Sequence, residues 1–202
     1  MAVLGTYIFG SANAGETGAG YPATSVASGL AMTDWADLPA ATTIALVTGL
    51  GYAAEPVLQY KTGTTSTSLA AAITNNQYNG FTVTPDSGKK MSFTTLTFNI
   101  ARGGTSTRGY GIYSSVDSYA SSLGNANVTT NRPTWTAVSI DLSAAGFQNV
   151  TSAITFRFYL YSSSNTSTLE LDDIILNGTV ADVSGGGFFS RAYYDMSGIH
   201  LV

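Results

Sequence analysis

An all-β fold, an antiparallel β-sandwich of the jelly-roll kind, is what this sequence predicts, and three observations predict it. Short segments that alternate apolar and polar residues recur along the chain, separated by polar or Gly-rich turns. Tyr (12 residues) and Phe (9) dominate the aromatics, while charged residues make up only 10%, against roughly 25% in an average soluble domain. One short piece alone has the pattern of a helix. At 202 residues the chain is long enough to bury a core of its own.

The segments follow in order. TYIFG at 6–10 is a first strand candidate, and the Gly-rich run SANAGETGAGYP after it reads as a long loop. TTIALVTG and PVLQYKTG are strands of β-branched and aromatic residues ended by Gly. SLAAAITNN at 68–76 is the helix: Ser68 as N-cap, an alanine run, then Asn to stop it. GFTVTP alternates and ends at Pro85. In MSFTTLTFNIARGG, Met91 and Phe93 lie on one face, and Leu96, Phe98 and Ile100 continue it only after a slip. That slip predicts a bulge at Thr94–Thr95. RGYGIYSS supplies a strand at 110–114. In RPTWTAVSIDLS, Val138, Ile140 and Leu142 oppose Trp135, Ala137 and Ser139, with Trp135 expected in the core. In SAITFRFYLYSSS, Ile154, Phe156, Phe158 and Leu160 oppose Thr155, Arg157, Tyr159 and Tyr161. LELDDIILNG closes the series. Because side chains alternate faces along a strand, one of Asp172 and Asp173 is expected on the core side.

This predicts a single sandwich domain over 1–184, best defined over 80–180. A Gly linker at 185–187 and a C-terminal arm at 188–202 follow it.

Composition excludes several function classes. Net charge is −4 with no block of Lys or Arg, so neither nucleic acid nor an anionic membrane is an expected partner. With no cysteine and a single histidine, His200, disulfides, thiolate metal sites and His-based triads are not expected. The N-terminal residues lack the basic and apolar regions of a signal peptide. No stretch reaches the roughly eighteen apolar residues of a membrane span. Acidic residues are scattered without a motif that pairs two of them, no G-x-S-x-G elbow occurs, and RGGTSTRGYG lacks the pattern of a phosphate loop. Binding, not catalysis, is therefore the expectation.

The order of the later segments carries a resemblance. F-x-V-x-P leads to a long strand, then Y-S-S-x-D-S-Y, W-x-x-V-x-I-D-L-S, I-T-F-R-F-Y and L-x-L-D-D-I-x-L-N-G. Over 80–180 that succession resembles the jelly-roll domain of bacterial PEP-CTERM-type exported proteins. More distantly it is similar to the β-sandwich carbohydrate-binding modules. The sorting tail of the first family and its export signal are missing from this sequence. The resemblance to carbohydrate-binding jelly rolls implies that Asp172 ligates a structural calcium, with Glu16 or carbonyls of the Gly-rich loop as further oxygen donors. The residues themselves leave a second outcome open, in which an aspartate of the pair meets Arg157 or caps backbone N–H groups in a turn or bulge. No other cofactor is expected.

Two binding readings follow. In the first, the chain is a structural or attachment protein on the surface of a virus particle, such as a phage capsid decoration, head fibre or tail component. It would dock to other virion proteins or to copies of itself. Phe188, Phe189, Tyr193, Tyr194, Met196, Ile199 and Leu201 of the arm would be the anchors. In the alternative it is a secreted or cell-surface carbohydrate-binding module, with Tyr110, Tyr113, Tyr119, Tyr159 and Tyr161 as candidate stacking platforms for a glycan. Alternating tyrosines on a strand equally well cover a sheet.

Overall fold

A computed structural model of the chain describes residues 2–9, 20–38, 43–47, 57–61, 66–164 and 166–183. Two antiparallel sheets face each other across a core of Phe, Tyr, Leu and Ile. The seven-stranded sheet contains β1 (Ala2–Tyr7), β2 (Ser25–Val26), β5 (Thr43–Val47), β6 (Val57–Lys61), β8 (Lys89–Gly103), β11 (Thr136–Asp141) and β13 (Thr168–Asp182). Its main order is β11-β8-β13-β1-β2, with β6 pairing the start of β13 and β5 pairing β6. The six-stranded sheet contains β3 (Leu30–Met32), β4 (Ala36–Leu38), β7 (Tyr78–Pro85), β9 (Arg108–Ser114), β10 (Gly124–Asn127) and β12 (Ile154–Ser162). They run β10-β9-β12-β7-β3, with β4 also on β7. The antiparallel sandwich expected from the alternating pattern is the observed fold.

The period-two pattern decides which side chains enter the core. Ile154, Phe156, Phe158 and Leu160 of β12 are buried, as are Met91, Phe93, Leu96, Phe98 and Ile100 of β8. The slip between Phe93 and Leu96 is a bulge: Phe93 opposes Gly178 and Thr95 opposes Asn177, which makes Thr94 the extra residue on β8. Helix α1 (Leu69–Thr74) forms as expected, with the Ser68 hydroxyl accepting from the Ala71 N–H at 3.2 Å.

Three expectations are corrected. The first strand is Ala2–Tyr7, not 6–10; Phe9 follows it into the core. The buried tryptophan is Trp35, not Trp135. Trp35 has 0% exposure and lies 4.7 Å from Phe158, 5.8 Å from Tyr7 and 6.0 Å from Phe81 between ring centroids. Trp135 is half-buried just before the edge strand β11, where only one side has a neighbouring strand to cover it. The third correction concerns the aspartate pair. Asp172 opposes Asn99 and Ile175 opposes Thr97, so Asp173 and Ile174 together face one residue, Phe98. Asp173 takes a left-handed φ of 50°, which an aspartate tolerates better than most residues. Leu171 and Ile174 both reach the core, and the two aspartates between them are taken up by the bulge. Asp172 is 2% exposed and Asp173 half-buried, so the pair holds one buried carboxylate as expected, placed by a bulge and not by plain alternation.

The linker at 185–187, the arm at 188–202 and Glu16 lie outside the described residues.

Two predictions follow from this core. Trp35→Ala is expected to cost about 3–5 kcal/mol in urea unfolding, as for other buried large aromatics. Trp135→Ala is expected to cost about 1 kcal/mol or less. The second prediction concerns alkaline pH. The Tyr7 hydroxyl donates to the Thr33 carbonyl, and burial first, then the nearby Asp34 charge, raises its pKa well above the ordinary phenol value. The native state therefore holds a proton that the unfolded chain releases. Stability should be intact below about pH 10 and fall progressively above it, measured as the urea midpoint from pH 8 upward.

Candidate functional site

The outer face of the six-stranded sheet collects the residues that β12, β7 and β9 turn away from the core. On β12 these are Thr155, Arg157, Tyr159 and Tyr161, and on β7 they are Tyr78, Gly80 and Thr82. On β9, Tyr113 points out while Tyr110 and Ile112 point in. Gly111 leaves room for α1 to lie on this face, since a Cβ there would sit 2.6 Å from Leu69 Cδ1.

Arg157 is the centre of the face. Its guanidinium carbon lies 4.2 Å from the centroid of the Tyr78 ring and 3.6 Å from that of Tyr119, a double cation–π contact. Nη1 donates to the Tyr159 hydroxyl at 3.3 Å and to Asn76 Oδ1 at 3.4 Å. Nε is buried without a partner. Tyr159 packs between Tyr78 and Tyr113, at 5.5 and 5.4 Å from their centroids. Tyr119 reaches Arg157 because the chain turns sharply after β9. A 3₁₀ turn at Ser115–Asp117 is followed by two left-handed residues, Ser118 and Tyr119, with φ of 59° and 63°. The Asp117 carboxylate holds that turn by accepting from the N–H groups of Ala120 and Ser121 at 3.3 and 2.9 Å.

Beside this group opens a cleft of about 340 Å³. Gly80 forms part of its floor; a Cβ there would collide with the Phe156 carbonyl, so no side chain can rise from that position. Tyr78 lines one wall and Thr33, Asp34 and Ala36 another, with Thr82 and Thr155 also lining it. The Thr82 and Thr155 hydroxyls are 2.7 Å apart. Thr33 is fixed against β7, its N–H donating to the Thr82 carbonyl and its Oγ1 accepting from the Thr82 N–H, each at 2.9 Å. The cleft therefore combines one tyrosine wall with hydroxyls and a single carboxylate.

Of the tyrosines singled out from sequence, Tyr113, Tyr159 and Tyr119 are packed in one group with Arg157, and Tyr110 is separated from it. Tyr110 is corrected as a stacking platform: its ring is in the core, 5.4 Å from Phe98 and nearly perpendicular to it, and burial raises its pKa. Tyr159 is 3% exposed beneath its neighbours. Tyr113, Tyr119 and Tyr161 are half-buried on the outer face, and the Tyr161 hydroxyl donates to Asn127 Oδ1 at 2.7 Å. Tyr78, Thr33 and Asp34 were missed. The signal for Tyr78 was its place two residues before Gly80 on an alternating strand; Thr33 and Asp34 had none, because β3 and β4 are three residues each.

A second polar cluster lies at the start of β13. Arg108 has 0% exposure; its Nη1 donates to the Gly103 and Thr168 carbonyls at 2.5 and 2.6 Å, and Nε to the Ser106 carbonyl at 3.1 Å. Burial first, and then repulsion by Arg102, lowers its pKa, opposed by the attraction of Glu170. Glu170, also 0% exposed, accepts on Oε1 from the Thr168 hydroxyl at 2.5 Å and Gln59 Nε2 at 3.2 Å, with Arg132 Nε at 3.2 Å. The Arg-rich RGGTSTRG segment is thus a clamp that ties the β8–β9 turn to β13.

Arg157 stands on the other sheet from the aspartate pair, so it partners neither, contrary to that expectation. Asp172 Oδ1 instead accepts from the Asp173 N–H at 2.9 Å, and Asp173 Oδ2 from Asn99 Nδ2 at 3.2 Å. Capping within a bulge is the alternative that these bonds match. Calcium requires six to eight oxygen ligands. Among the described residues no three His, Cys, Asp or Glu side chains converge to hold a metal, and Glu16 is outside them.

No family model matches the chain, and no curated protein sequence matches it. Among solved structures it is similar to the K1 cleaved adhesin domain of Lys-gingipain from Porphyromonas gingivalis W83, at 14% identity and a TM-score of 0.46, covering 86% of this chain and 97% of that one. It is similar to the CBM22-1 xylan-binding domain from Paenibacillus barcinonensis, at 11% identity and a TM-score of 0.44, covering 88% of this chain and 94% of that one. A third is the N-terminal cellulose-binding domain of a β-1,4-glucanase from Cellulomonas fimi, at 16% identity and a TM-score of 0.41, covering 73% of this chain and 90% of that one.

With the aspartates held by bonds within the bulge, EDTA is expected to leave the thermal midpoint unchanged, and added calcium is not expected to raise it. A scan with each reagent at neutral pH checks this.

Proposed function

We propose that this chain is a non-catalytic β-sandwich that binds glycans on the outer face of its six-stranded sheet. The observation that supports the reading is the cleft over Gly80, where a tyrosine wall meets clustered hydroxyls and the exposed Asp34. A pyranose ring has apolar faces and a polar perimeter. An aromatic wall takes the first while fixed hydroxyls and a carboxylate take the second, and this combination is what small-ligand sites use for orientation. Gly80 keeps the floor low enough for a ring to sit against the strands. Asp34 is the single carboxylate among the lining residues, whereas glycoside hydrolysis generally needs two on opposite sides of the bond. An extracellular or cell-surface setting goes with this reading.

The virus-particle reading rested on the anchors at 188–202. Those residues lie outside the described part, and no observation within it favours that role.

A broad array of neutral and charged polysaccharides, run with the intact chain, tests the proposal. Binding to at least one is expected, with Tyr78→Ala weakening it by roughly tenfold or more, the scale of a lost stacking contact with its hydroxyl. The Tyr113→Ala variant, outside the cleft, should bind nearly as the parent does. Binding to nothing on the array, or undiminished binding by a folded Tyr78→Ala chain, would overturn it.

A further inference from the structure

Among the described residues, the outer face holds a cation without a counter-ion. The chain has only eight Lys and Arg residues against twelve Asp and Glu, so acidic partners are plentiful. Among the described residues Lys89 meets Asp182 and Arg132 meets Glu170. Arg157 meets no carboxylate. It lies instead over the rings of Tyr78 and Tyr119, on the strand that pairs with the cleft floor, directly opposite Gly80. The two rings strip water from the guanidinium where they cover it, which leaves its edge as the place where charge can be neutralised.

That edge is under-used. Nη1 makes two bonds of 3.3 and 3.4 Å, both longer than a usual N–H···O contact. Nε is buried without a partner, and no described residue accepts from Nη2. A planar fork held against two rings, with donors to spare on Nη1 and Nη2, matches a planar carboxylate in two-point contact through those two nitrogens. Tyr78 is shared between this fork and the cleft, so a sugar against the tyrosine wall would bring its substituents toward the guanidinium.

We infer that the ligand is an acidic glycan, and that Arg157 receives the carboxylate of a hexuronic acid residue. The inference rests on the glycan-binding reading and adds the ligand class to it. A molecule of net charge −4 repels polyanions at long range, so a preference for an acidic polymer has to originate in a local contact of this kind.

The experiment uses the intact chain with polygalacturonate, alginate and hyaluronan, each beside its carboxyl-reduced form. The native polymers are expected to bind roughly tenfold or more tightly than the reduced ones, the scale of a charge-assisted pair. Arg157→Gln should erase that difference between native and reduced polymers. Arg157→Lys, which keeps the charge but loses the fork, should recover only part of it. The comparison of native and reduced polymer needs no variant, so it decides the matter even if Arg157→Gln does not fold. Equal binding to native and reduced polymers, or binding to neutral polysaccharides alone, would overturn the acidic-ligand inference and leave the glycan reading standing. Binding to no polysaccharide would overturn both.

Discussion

Strand β13 is the constraint on which the sandwich depends. It pairs with β8 along its whole length and also carries β1 and β6 on its other side, so its register fixes three neighbouring strands at once. A strand of 15 residues with a strict alternation would turn one half of its apolar side chains to the wrong face. The bulge at Asp173 prevents this: Leu169 and Leu171 before it and Ile174 and Leu176 after it all enter the core. The bulge at Thr94 on β8 then cancels the register change, so that the two strands resume their original pairing from Gly178 and Phe93 onward. Bulges also sharpen the local twist, which is how two long neighbouring strands can wrap one side of a core without flattening.

The division of aromatics follows from that framework. Phenylalanines fill the interior, where rings of Phe81, Phe93, Phe98, Phe156 and Phe158 contact one another and Trp35. Tyrosines are shared between the core and the outer face of the six-stranded sheet, because a hydroxyl at the end of a ring wants water or a fixed acceptor. On the outer face they pack around Arg157, and that packing orders a surface that would otherwise be a row of independent side chains. The cleft owes its depth to the same region, where Gly80 cannot carry a side chain and the short β3–β4 segment is bonded to β7 through Thr33.

Scarcity of charge makes each cation informative. Arg108 and Arg132 are spent on the carbonyls and the carboxylate at the start of β13, where a buried Glu170 would otherwise be unpaired at a cost of several kcal/mol. Lys89 answers Asp182 at the far end of the same strand. What distinguishes Arg157 is that its surroundings are aromatic and neutral, on a face that also carries a cleft.

How much of this was legible in the sequence depends on the length of the element. Long alternating segments such as ITFRFYLYS declared both the strand and its buried face, and the mismatch in MSFTTLTF declared the Thr94 bulge, because period-two patterning is local and repeats several times within one strand. The same logic missed the bulge at Asp173, although one aspartate of the pair is buried as alternation implied: alternation assumes an uninterrupted strand, and a bulge seen only from one side has no separate sequence signature. Trp35, Thr33 and Asp34 belong to segments too short to show a period, and they reach the core and the cleft only through pairing with β7 far along the chain. Which tyrosines are buried was equally beyond the sequence, since Tyr110 and Tyr113 differ only in the face their strand turns inward. Composition and periodicity thus determined the β-sandwich and its strands. The site was decided by the tertiary structure, because it is made where a turn, two strands and a short connection meet across large separations in sequence.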